Sequence, residues 1–429
     1  MRAKVELFEH ETVRIGDALR VKDGAPRAFG PAEHDALARY DDLHGGRFFR
    51  LGHRSVTTTQ YVGYVEVGDL AIEILPKADR VPTRGTEAAV WREGLLDMLR
   101  VATGLRLESP SPASQSSGRS TLLELLVLRF VGEIERLLRE GLAKGYRDVE
   151  SNGTAFRGRL LFAEHLRENL VHAERSYVRY AAFDHDVLVN RTLREALDTL
   201  RDLALTGSLS ARVRASAAAF PEVSRSRTTG EMFDNLVLGR STARYRDALV
   251  LARMILERRA PQLRAGGLPV FALLFDMNVL WESYVGGLFR RAAGSRYRVT
   301  TQESAPFWRA SAHVNRGVRP DVLIRRADKT EVLLVADTKW KVAPDGVPGD
   351  ADLKQMFVYN ELFKAPRAVL LYPSTGAAVG RTGAYAGCSH RCETMQLGVI
   401  AGMEWRRNAM IEQVATLLGS LEAKAGGLA

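Results

Sequence analysis

The most constraining feature of this chain is one block, Arg319 to Lys341, which reads RPDVLIRRADKTEVLLVADTKWK. Two runs rich in Val, Leu and Ile flank Asp328-Lys329-Thr330, a turn signal, so the block predicts a strand, a tight turn and a second strand. Asp321 opens the first strand, and the second stays apolar until Asp337. Residues two apart on a strand share a face, so Asp337 and Lys339 project together. A hairpin then brings Asp321 close to Asp337. Two carboxylates and an ammonium converge at the end of an apolar strand. Such a pair of acids can hold a hard divalent cation, with water completing its shell. A cation there polarises a phosphodiester and activates water, and a lysine beside it neutralises charge developing on phosphorus.

The rest of the chain predicts a multidomain α+β protein. Residues 1 to 84 are β-rich: Thr57 to Glu66 and Leu70 to Leu75 (LAIEIL) flank the turn Val67-Gly68-Asp69. His44 to Arg54, HGGRFFRLGHR, reads as a mobile basic loop. Residues 85 to 265 are mostly helical. Leu95, Leu96, Leu99 and Leu105 mark one amphipathic helix, and 122 to 142, 186 to 205, 210 to 219 and 240 to 259 mark others. Short β-like pieces surround a helix near 160 to 170. The Ser/Pro-rich stretch 109 to 120 cannot bury apolar surface and predicts a loop. Arg264 to Pro269 predicts a linker. From 266 to 429 the pattern becomes α/β: a helix from 272 to 293, strands at 297 to 301, 318 to 325, 331 to 338 and 368 to 372, a helix from 350 to 362, and a last helix from 403 to 421. The expected C-terminal domain is a mixed sheet flanked by helices.

Composition limits the function classes. The chain has 429 residues, and 61 Lys plus Arg against 51 Asp plus Glu leaves 61 − 51 = +10. That balance suits a polyanion partner, and a high-Arg proteome would produce it equally well. Two cysteines exclude a disulfide scaffold and fit a reducing compartment. Without an apolar leader or a long uncharged run, a cytoplasmic location and no membrane contact are expected. No G-x-x-x-x-G-K-S/T is present, so no P-loop motor is expected. Cys388-Ser-His390-Arg-Cys392 lacks the fourth ligand of a structural zinc and reads as two free thiols near a turn. His185 reads as a turn residue and Asp186 as a helix cap.

Pro320-Asp321 followed by Asp337-Thr338-Lys339 resembles the PD-(D/E)xK nuclease superfamily. Glu282, in the helical FDMNVLWESYV, matches the glutamate that often completes the metal site there. Gln355 and Tyr359 match the QxxxY element of the RecB-like branch and share one helix face at i and i+4. More widely, the chain resembles the McrC family, the nuclease subunit of McrBC modification-dependent restriction systems. The matching residues include Tyr61-Val-Gly-Tyr-Val, Ile72-Glu-Ile-Leu-Pro-Lys77, Gly141 to Tyr146, Asp186, Leu188 and Asn190 of FDHDVLVN, FDMNVLWE and DLKQMFVY. It departs in its longer Ser/Pro loop and in Trp340, where the family often has Tyr.

The resemblance implies an endonuclease that cuts modified double-stranded DNA in phage defence. Asp321, Asp337 and Glu282 would bind Mg²⁺, with Mn²⁺ as substitute; Lys339 would assist water, and Gln355 and Tyr359 would support the site. It also implies an McrB-like AAA+ GTPase hexamer as partner, entered by an N-terminal β-rich stalk. The basic loop at 47 to 54 is the expected ring contact. Two other readings stay open: a ring-binding regulator with a vestigial nuclease site, and a stand-alone RecB-like nuclease.

Overall fold

The computed structural model describes residues 3–19, 21, 25–78, 87–105, 122–201, 203, 205, 207–257, 268, 270–310, 315–376 and 380–423. The Ser/Pro stretch 109 to 120 and nearly all of the expected linker 264 to 269 lie outside them. The chain divides into two compact units, one formed by residues 1–111 with 260–429 and the other by 112–259. This differs from the three consecutive domains expected at 1–84, 85–265 and 266–429: the N-terminal hairpin and the C-terminal α/β region belong to one unit. Among the described residues, no helix is long and apolar enough to cross a membrane.

Strand pairing explains the shared unit. Strands β1 (Ala3–Phe8), β2 (Tyr61–Val67), β3 (Leu70–Leu75) and β4 (Val270–Asp276) form one sheet in the order β1-β3-β2-β4. The β2–β3 hairpin is antiparallel as expected, with Val65 opposite Ile72. β4 corrects the sequence reading, which placed 272 to 276 inside a helix. The run VFALLF lies antiparallel to β2, and every residue from Val270 to Phe275 is buried. A continuous apolar run of this length fits a strand covered on both faces, and periodicity alone does not separate it from buried helix. Asp276 then caps the helix that follows, accepting from Asn278 N. Gly63, at φ +139°, allows β2 and β4 to approach, since a Cβ there would collide with Leu273 O. The expected basic loop is also a correction: Phe49–Gly52 is a strand antiparallel to Ser55–Thr58, with Phe48 and Phe49 buried.

The same unit holds a six-stranded mixed sheet. Its order is β5 (Tyr297–Thr301), β6 (Val322–Arg326), β7 (Val332–Thr338), β8 (Arg367–Ser374), β10 (Arg391–Gly398), β9 (Arg381–Ala384). β5, β6 and β7 are antiparallel neighbours, β7–β8 and β8–β10 are parallel, and β9 returns antiparallel at the edge. Helices α1 (Glu87–Thr103), α2 (Met277–Ala293), α3 (Asp350–Phe363) and α4 (Arg407–Ala423) complete it. α2 packs on α1, α4 and β7, and α3 packs on β7 and β8. Four tryptophans gather between these elements. The Trp281 ring lies 5.3 Å from Trp340, and Trp91 lies 6.3 Å from both Trp340 and Trp405. Trp281 is fully buried, as a core residue should be. Asp97 of α1 sits at the polar edge of this cluster, accepting from Tyr284 Oη, Trp405 Nε1 and an Arg407 guanidinium nitrogen.

The second unit carries the expected helices, at Leu122–Glu140, Leu188–Arg201, Gly207–Ala219 and Arg246–Glu257. Gly145–Gly153 and Ser176–Asp184 pair antiparallel over nine residues, with Arg159–Leu160 beside the latter and the helix Phe162–Asn169 packed on it. The residues of FDHDVLVN hold this unit together. Asn190 is fully buried and donates to Ala143 O and His185 O, while Tyr245 Oη donates to its Oδ1. Asp186 accepts from Arg191 Nε and from the Ser224 amide and hydroxyl. These bonds fasten the start of Leu188–Arg201 to the chain on both sides of it.

Candidate functional site

The hairpin places the two aspartates as the sequence demands. Val322 pairs with Ala336, so Asp321 and Asp337 stand side by side at the ends of β6 and β7. Asp321 Oδ2 accepts from Thr338 N at 2.7 Å and Thr338 Oγ1 at 2.8 Å, which locks the carboxylate against the neighbouring strand. Asp337 is 2% exposed. Lys339 Nζ lies 2.6 Å from Asp337 Oδ2 and donates to Gln355 Oε1 at 3.0 Å. The backbone of Lys339 is tied to β8 by a bond from its N to Leu371 O.

α3 delivers the amide and phenol. Gln355 Nε2 lies 2.7 Å from Tyr359 Oη and 3.4 Å from Asp337 Oδ1, and Tyr359 Oη donates to Arg319 O at 3.3 Å. The i, i+4 spacing puts both on the face toward β7. Gln355 therefore bridges Lys339, Asp337 and Tyr359, and Tyr359 fixes the backbone just before Pro320.

Glu282 comes from α2, one turn past its capped start. Its electrostatic neighbours are Asp321, Asp337, Arg319 and Lys339. All six residues singled out from the sequence thus belong to one neighbourhood. Sequence reading gave no role to Arg319, Thr338 or Asp352. Arg319 directly precedes Pro320 and offsets charge on Asp321 and Glu282. Asp352, buried on the first turn of α3, accepts from Lys341 Nζ at 2.6 Å and Tyr372 Oη at 3.3 Å, and stands 4.0 Å from Lys339 Nζ. It opens the segment DLKQMFVY, but no spacing in the sequence marks it as part of the site. Only the packing of α3 on β7 and β8 brings it in.

The electrostatics follow from crowding acids in a dry place. Burial, and then the Asp321 and Asp337 carboxylates, push Glu282 up to about 7. Burial and Asp321 push Asp337 up to about 6 against the pull of Lys339. Burial raises Asp321 as well, opposed by its bonds from Thr338. Three carboxylates crowded in this way form a site short of positive charge. Oxygen donors in excess of their countercharge fit a hard divalent cation, so the residues present suit Mg²⁺.

The fold and this cluster define a mixed α/β protein of two units, with an acid–lysine site at the strand ends of one sheet. The chain belongs to the family described as McrBC 5-methylcytosine restriction system component, whose model matches residues 56–373. No curated protein matches it. Among solved structures it is similar to a chain of the refined half-complex from a tetradecameric assembly of Thermococcus gammatolerans McrB AAA+ hexamers with bound McrC. That likeness has a TM-score of 0.63 at 18% identity and covers 96% of this chain and 100% of that one. A chain of the Thermococcus gammatolerans McrBC complex matches at TM-score 0.47 and 19% identity, over 68% of this chain and 88% of that one.

Proposed function

We propose that this protein is the DNA-cutting subunit of an McrBC-type restriction complex, a PD-(D/E)xK phosphodiester hydrolase that works with an AAA+ GTPase ring. The observation that carries this reading is the convergence of Asp321, Asp337, Glu282, Lys339 and Gln355 at one end of β6 and β7. Asp321, Asp337 and Glu282 would hold Mg²⁺, which when bound supplies Lewis-acid polarisation of the scissile phosphate. Lys339 stands beside Asp337, where its ammonium can orient the attacking water and offset charge developing on phosphorus. Gln355 holds that ammonium in place, and Tyr359 holds Gln355.

The test is cleavage of methylated duplex DNA by the complex reconstituted with its ring partner, GTP and Mg²⁺. Asp337→Ala should reduce cleavage by about a thousandfold or more while the complex still assembles and hydrolyses GTP. Wild-type levels of cutting by that variant would overturn the assignment.

We assign the ring contact to the small sheet of the second unit rather than to residues 47 to 54. Tyr146 and Phe183 are 79% and 57% exposed with ring centroids 4.8 Å apart, and Phe162, Leu170 and Val171 are also exposed. Apolar side chains held out on a short sheet and its helix are characteristic of a protein-binding surface. Replacing Tyr146 and Phe183 by Ser should abolish stimulation of the partner's GTPase; unchanged stimulation would return the contact to another surface.

A further inference from the structure

Away from the acid–lysine cluster, a second group of ligating side chains meets where α3 ends. Glu361 lies on the last turns of α3, and Cys388 and His390 lie on the segment joining β9 to β10. One ligand atom from each lies within 4.8 Å of both others. His390 Nε2 is 2.8 Å from Glu361 Oε1, and its side chain is 9% exposed. Its Nδ1 is buried and has no hydrogen-bond partner. Phe357 and Tyr385 pack edgewise on the imidazole at 5.1 and 5.3 Å, which fixes the plane of the ring. Cys388 is half-buried, leaving the cluster open to solvent on one side.

We propose that Glu361, Cys388 and His390 form a binding site for a borderline transition-metal cation, with Zn²⁺ as the natural occupant. A thiolate, an imidazole and a carboxylate are zinc donors, whereas Mg²⁺ selects oxygen alone. Zinc bonds of about 2.0 to 2.3 Å in a tetrahedron set donor atoms roughly 3.3 to 3.8 Å apart. The present donor atoms, within 4.8 Å of one another, must draw closer to reach that size. The fourth position is open to water. Cys392 is not a ligand: it is buried in β10, and burial pushes its thiol up to about 11. Binding releases the Cys388 thiol proton to solvent, shifts the imidazole proton of His390 from Nε2 to Nδ1, and exchanges the His390–Glu361 bond for two metal bonds. The ion would fasten the C-terminal end of α3, the helix carrying Gln355 and Tyr359, to the sheet edge.

The test uses the full-length chain, stripped with chelator and titrated with Co²⁺ in excess Mg²⁺, which competes for the acid–lysine site. The expected result is one equivalent with thiolate-to-cobalt charge transfer and tetrahedral d–d bands, both removed by Zn²⁺. Cys388→Ser should abolish the charge-transfer band, His390→Gln should weaken Zn²⁺ binding roughly tenfold to a hundredfold, and Cys392→Ser should change neither. Zn²⁺ should raise the melting temperature of the wild type and not of Cys388→Ser, whose half-buried position lets the variant fold. Absence of the bands in the wild type, or their persistence in Cys388→Ser, would overturn the proposal.

Discussion

Glu9 shows how a single residue can link stability to pH. It is 4% exposed, and its Oε1 accepts from Lys77 N and Trp340 Nε1, both at 2.6 Å. Burial pushes it up to about 8, against those two bonds. A carboxyl with a raised folded pKa favours the native state fully below its unfolded value near 4.5, and that contribution is lost as pH rises toward 8. Glu9→Gln keeps an oxygen acceptor and cannot ionise. It should therefore raise stability at about pH 8 by on the order of a few kcal/mol and make no gain at about pH 4, measured by chemical denaturation at both. The site carboxylates carry a separate pH signature. With Glu282 near 7 and Asp337 near 6, protons compete with a cation as pH falls. Mn²⁺ affinity, followed by calorimetry, should drop by about an order of magnitude between roughly pH 8 and pH 6; an unchanged affinity would show that these carboxylates do not bind the ion.

At the scale of elements, the sequence was clearest where turn signals or helical spacing mark the ends of a run. The β2–β3 and β6–β7 hairpins lie where apolar, β-branched runs flank the turns Val67-Gly68-Asp69 and Asp328-Lys329-Thr330, although their strands are buried on both faces, and α3 lies where helical spacing puts it. β4 differs because its apolar run passes straight into α2 with no turn residue between them, so nothing local marks where strand gives way to helix. β10 was missed for a different reason: its mixed sequence RCETMQLG gains its place by pairing with β8. Asp97 is the polar counterpart, joining α1, α2 and α4 through Tyr284, Trp405 and Arg407. Asp97→Ala leaves those donors unmatched beside the tryptophans and should cost about 2 to 4 kcal/mol in a denaturant titration.

At the scale of the whole molecule, the N-terminal strands and the C-terminal α/β region belong to one compact unit. A fragment beginning at residue 266 would expose β4 without β2 and α2 without α1. Expressed alone it should lack a cooperative melting transition, and co-expression with residues 1–111 should restore one, read by circular dichroism. A cooperative melt of the isolated fragment would show that the C-terminal region folds by itself.

The sequence by itself determined the acid–lysine constellation, because strand and helix periodicity fix which side chains share a face. Asp321, Asp337 and Lys339 could be found that way, and Glu282, Gln355 and Tyr359 by likeness to a family. Only the tertiary structure decided that Arg319 and Asp352 join them, that the two ends of the chain share a sheet, and that Glu361 meets Cys388 and His390. Those contacts join residues far apart in the chain, and no local periodicity encodes which distant element a given face will meet.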